Sequence, residues 1–215
     1  GAYTADSQAG LNISIDPSTV VNNGRFAATG NIEIVATDTI TVNADMHASN
    51  GNIDVSGTGN LLMSVGTSLT APNGTPTLGL INVSGENVKL GTVIAGTVLT
   101  VTNDVKTDGG NTITLTGDLR GDDGVTVETD GADLNVVLSG DVSITAIDDP
   151  VSLDTTSLDG AFALNIDAGD GADADITLGT IGDTTPVESL TVSSSDAAAS
   201  LTLNGDITAE QDIAF

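Results

Sequence analysis

The chain has 215 residues, with 30 acidic side chains against Arg25, Lys89, Lys106 and Arg120, a formal charge of −26. A field of that sign repels phosphate backbones and anionic membrane surfaces, which argues against nucleic acid as a partner. Cysteine is absent, so disulfides, thiolate metal sites and cysteine nucleophiles are excluded, and no apolar run approaches the roughly 20 residues of a membrane span.

The makeup of the apolar and acidic fractions narrows the fold. Apolar residues are 39% of the chain, yet there is no Trp, one Tyr (Tyr3) and three Phe (Phe26, Phe162 and Phe215). Wide globular interiors lean on aromatics, whereas a core only a few aliphatic side chains across does not. Of the acids, 25 are Asp and five are Glu. Asp favours turns and Glu favours helices, so the charge is expected mostly in bends.

Taken along the chain, the signals are those of short strands. Residues 1–29 are the less regular part and carry one alternating pair, Ile13/Ile15, so a strand-containing N-terminal segment is expected there. From residue 30 the pairs become regular: Ile32/Ile34, Ile40/Val42, Ile53/Val55, Ile81/Val83, Leu99/Val101 and Ile113/Leu115. They continue as Val125/Val127, Val136/Leu138, Leu164/Ile166, Ile176/Leu178, Leu190/Val192 and Leu201/Leu203. Asn-Gly at 23–24, 50–51, 73–74 and 204–205, with five Asp-Gly pairs, supplies turns between them. No segment sustains a helical apolar period, so the chain reads as all-β.

One phrase, apolar-x-apolar followed by a small or turn residue, recurs as IEIVA, IDVSG, INVSG, ITLTG, VVLSG, LNIDAG, LTVSS and LTLNG. Most steps between copies fall between 20 and 32 residues, as in a coil with two or three short strands per turn. The fold predicted is a right-handed parallel β-helix (a β-solenoid) with irregular coils of roughly 20–30 residues, its shaft spanning 30–215. Rungs about 4.8 Å apart would make a rod of roughly 40 Å, continuing or stacking beyond the C-terminus. Tandem immunoglobulin-like sandwiches also give short strands, but they normally bury an aromatic or two per domain. A left-handed solenoid needs a strict six-residue step, and the spacing is too uneven for one.

Residues 30–57, GNIEIVATDTITVNADMHASNGNIDVSG, resemble the coils of filamentous-haemagglutinin-like exoproteins, large β-strand-repeat proteins exported by Gram-negative bacteria. In that group a Gly-x-Ile/Val-Gly-x-x-x-Pro-Leu-x-Ser-Leu-Thr-Val phrase recurs. This chain has Gly179-Thr180-Ile181-Gly182 and then Pro186-Val187-Glu188-Ser189-Leu190-Thr191-Val192, departing at Val187. The Asn-Pro motifs of the secretion domain that opens such proteins are absent. The resemblance covers most of residues 30–215 and implies a place in the shaft of an extracellular or cell-surface adhesin, matrix fibre or toxin stalk.

Candidate chemistry is sparse. His47 is the only histidine, so a Ser-His-Asp relay could form only around it, and zinc chemistry lacks ligands. Asp118-Leu119-Arg120-Gly121-Asp122-Asp123 is the nearest approach to a carboxylate site, and it also spells Arg-Gly-Asp, an integrin-type tripeptide. AGDGADADI, 168–176, resembles a calcium-binding nonapeptide; it departs at Ala168 and at Asp175, and its candidate ligands are Asp167, Asp170, Asp173 and Asp175. Thr-x-Thr pairs at 39/41, 100/102, 112/114 and 114/116 suit a sugar- or ice-facing surface if they stack, and Asn12, Asn73 and Asn82 are glycosylation acceptors in a suitable host.

The reading that results is non-enzymatic: a stiff acidic rod in a bacterial extracellular or cell-surface fibre or adhesin, self-associating end to end. Identical subunits or further repeats are the expected partners, with surface glycans as another, no membrane insertion, and no cofactor unless calcium. A carbohydrate-active β-helix and a calcium-dependent adhesion module are the alternatives. The chain opens at Gly1 without Met or a secretion signal, as expected of a processed product or a piece of something longer.

Overall fold

A computed structural model describes residues 2–3, 12–16, 18–72, 79–103, 112–129, 135–153, 155 and 157–215. Among these residues every regular element is a strand, and every strand pair is parallel. The chain visits three faces in turn, building two nine-stranded sheets and one of eight strands. The chain is a parallel β-solenoid, as its repeat predicts.

First-face strands begin at Ile13, Ile32, Ile53, Ile81, Leu99, Val125, Val151, Ile176 and Leu201, so coils run from 18 to 28 residues. The second face runs from Ala2–Tyr3 and Val20–Asn22 to Ser157–Asp159, then persists as single bridges through Ile181 and Ile207. The third runs from Phe26–Ala28 to Ile213–Ala214. Ile13–Ile15, Val20–Asn22 and Phe26–Ala28 pair with Ile32–Ala36, Ile40–Val42 and Met46–Ala48, so all three sheets extend into the segment before residue 30.

The recurring phrase occupies more than one face. IEIVA, IDVSG and INVSG lie on the first, ITLTG and VVLSG on the second, LNIDAG and LTVSS on the third, and LTLNG on the first again. The long step from 81 to 113 and the short one from 190 to 201 are therefore changes of face, not irregular coils.

Alternation puts every second side chain inside. On the first face Ile13, Ile32, Ile53, Ile81 and Leu99 stack in register, all buried. On the third face Ala28 stacks on Ala48, and Ala71 on Ala95, Gly121 and Ala146; this column of small residues lets the chain turn closely into the next coil. Phe26 is buried over Met46, in line with a core too narrow to need more aromatics. Corners are tight as well: a Cβ on Gly51 would lie 2.3 Å from the carbonyl carbon of Gly30 one coil below.

Candidate functional site

Several Asn and Asp side chains share one position, immediately before a strand. Asn12 Oδ1 accepts from the backbone N–H of Asn31 at 2.9 Å, Asn31 from Asn52 at 3.0 Å, and Asn52 from Leu80 at 3.1 Å. Asp does the same elsewhere: Asp45 accepts from Ser68 N–H, Asp118 from Ser143, Asp141 from Ala163 and Asp175 from Ser200, at 2.7–3.1 Å. Each donor is the equivalent residue one coil on, so these side chains satisfy backbone N–H groups at the strand entrances. Sequence reading assigned the acids to bends but missed this coil-to-coil role, whose signal is an Asn or Asp immediately preceding apolar-x-apolar.

That role accounts for one of the four calcium candidates. Asp175 takes the backbone N–H of Ser200 and, at 2.8 Å, its hydroxyl; these bonds hold its carboxyl below the usual range. Asp167 accepts from Gly169 N–H at 3.1 Å, and Asp170 is exposed in the turn that follows. Asp173 instead approaches a carboxylate of the coil below. Burial, then the charges of Asp123, Asp173 and Asp148, push Asp149 up, which marks an acidic corner drawn from three successive coils. Among the described residues no group of three or more His, Asp or Glu side chains is arranged to hold a metal ion.

The other candidates are separated. His47 lies on the strand Met46–Ala48 and points outward, registered between Ala27 and Thr70. Arg120 and Asp122, the charged ends of the Arg-Gly-Asp tripeptide, pair with each other at 2.7 Å. Asp118 is engaged with Ser143 before the strand, and Asp123 joins the acidic corner after it. On the second face, Asp159 fixes the loop of the next coil. Burial would raise its carboxyl, but hydrogen bonds from the Ser157 hydroxyl and the Thr185 and Thr184 N–H groups outweigh it and hold the carboxyl below its usual range.

The outward surface of the first face is polar from end to end in one column. It begins Ser14, Glu33, Asp54 and Asn82, each opposite the next. It continues as Thr100, Thr126, Ser152, Thr177 and Thr202. Of the sequence Thr-x-Thr pairs, 100/102 lies outward on this face and 112/114 on the second, but the longer hydroxyl column is assembled across coils, one residue from each. At its N-terminal end the column and the neighbouring asparagines line an open trough of about 350 Å³. Asn12 and Asn82, two of the expected glycosylation acceptors, lie along it, while Asn73 falls outside the described residues. Burial raises Asp54 here, opposed by a hydrogen bond with Ser56 and reinforced by the charge of Glu33.

Comparison with family models, curated proteins and solved structures finds no match to this chain. The reading of its role therefore stands on the residues themselves.

Proposed function

We propose that this chain is a non-enzymatic structural segment of a bacterial extracellular or cell-surface fibre or adhesin, a stiff acidic rod that associates end to end. The observation that carries this reading is that the core columns run coil on coil and stay exposed at residues 201–215, ready for a further coil. Ile176 and Leu178 are 3% and 0% exposed, whereas their partners one coil on, Leu201 and Leu203, are 38% and 47% exposed. On the third face Ile213, paired to the buried Leu190, is 42% exposed, and Phe215 beside it is 67% exposed. Residues 201–215 thus carry apolar columns and strands paired on one side, which a further coil, of the same chain or of another copy, would cover.

The Gram-negative exoprotein resemblance supports the extracellular assignment. The carboxylates suited to acid–base work are tied up at separate corners, so this reading invokes no reaction.

Sedimentation and negative-stain imaging test the proposal. The protein is expected to form concentration-dependent end-to-end oligomers, and Leu203→Glu with Ile213→Glu should reduce them at least tenfold without changing the β circular dichroism. A monodisperse monomer at every concentration would overturn the reading.

A further inference from the structure

The geometry points to the first face as a binding track for a linear, neutral polysaccharide, entered at the trough beside its N-terminal coils. This is independent of end-to-end assembly, because the track runs along the side of the rod, whereas end-to-end association uses coil edges.

Three features carry it. The first is concavity: the trough's volume of about 350 Å³ lies in the range of small-ligand sites, and its outward side chains are all polar. The second is the pairing of donors with acceptors. Asn12 and Asn31 commit their amide oxygens to backbone N–H groups, which fixes each amide and orients its NH₂. Glu33 stands on the rung of Asn31, and Asp54, its partner one coil on, adds a second carboxylate acceptor. A fixed amide next to a carboxylate offers a donor and an acceptor together, which is what the vicinal hydroxyls of a sugar ring require.

The third feature is continuity, which the other faces lack. The corresponding second-face column is interrupted by Leu62 and Val137, and the third-face column by Ile94. On the first face the polar residues persist past the trough as a hydroxyl row with one group per rung, about 4.8 Å apart. Charge selects within the class. A formal −26 repels uronates and sulfated chains, while hydroxyl recognition needs no ligand charge.

The test is binding of the intact protein to immobilised hexasaccharides of glucose, galactose and mannose, with hexaguluronate and hexaglucosamine as the anionic and cationic arms. At least one neutral hexasaccharide should bind and the uronate should not. Glu33→Ala/Asp54→Ala/Asn82→Ala should weaken that binding at least tenfold, with Thr145→Ala on the third face as the unaffected control. The altered side chains point outward, and thermal melting confirms folding; if the triple variant melts early, Asn82→Arg, which obstructs the trough, is read in its place. No neutral binding, neutral binding that survives the trough variants, or binding confined to the glucosamine chain and abolished by salt would each overturn the assignment. Oligomer size in the same samples reports separately on end-to-end association.

Discussion

Asn22 shows how a single polar side chain can sit in an aliphatic column. It is fully buried, with Val42 and then Met63 as its successors in register. Its Nδ2 donates to the Ala44 carbonyl at 3.0 Å and its Oδ1 accepts from Gly24 N–H at 3.1 Å, so it closes its own turn and reaches the next. Asn22→Ala strands both partners, and a loss of about 1–3 kcal/mol is expected in urea unfolding. Asp159 contributes through charge. Its lowered folded value means that ionisation favours the native state, so its contribution is complete above the unfolded carboxylate range near pH ~4 and is lost as pH falls through the folded value. Asp159→Asn should therefore cost about 1 kcal/mol at neutral pH and little below that window, as measured by unfolding at both acidities. Asp54 has the opposite sign: its raised value means that ionising it removes stability as pH climbs.

At the scale of elements, corners govern as much as strands. Gly169 has φ +73°, and a Cβ there would lie 2.0 Å from the Ile147 carbonyl oxygen of the coil below. Gly169→Ala combines a left-handed backbone penalty with a backbone collision, so a loss of at least about 2 kcal/mol is expected, read as a lowered melting temperature. How much of this was legible follows from the residues concerned. Alternating pairs of β-branched or leucine residues announce their strands because both inward positions are large and apolar. Phe26–Ala28, Met46–Ala48 and Leu119–Gly121 escaped notice because one inward position is a small Ala or Gly. Leu61–Met63, Val88–Leu90 and Val151–Leu153, with large residues at both inward positions, were passed over because they lie outside the recurring phrase. The coil was visible in the recurring phrase, but the face each copy occupies was not, since the same three-residue pattern serves all three faces. The first-face polar track was hidden for a related reason: Thr126, Ser152 and Thr177 are neighbours only once coils of 26 and 25 residues are set in register.

For the whole molecule, charge and linearity set the behaviour. With a formal −26 and an acidic corner spanning three coils, self-repulsion opposes the compact state at low ionic strength. Raising salt from about 0.01 to 0.15 M shortens the screening length from roughly 30 to 8 Å, so the melting temperature should rise by several degrees in scanning calorimetry. An unchanged value would mean that the carboxylates are already compensated within the fold. The coil-on-coil pairing has a mechanical consequence. Because each coil touches only its neighbours, tension along the chain meets one layer at a time, and that layer can peel away while those behind it keep their places. The 25 residues between Ile176 and Leu201 occupy one rung of about 4.8 Å but pay out roughly 80 Å of thread when drawn straight. A rod of this build is also a spool: it yields length under load, and the remaining layers stay as the template on which it can rewind.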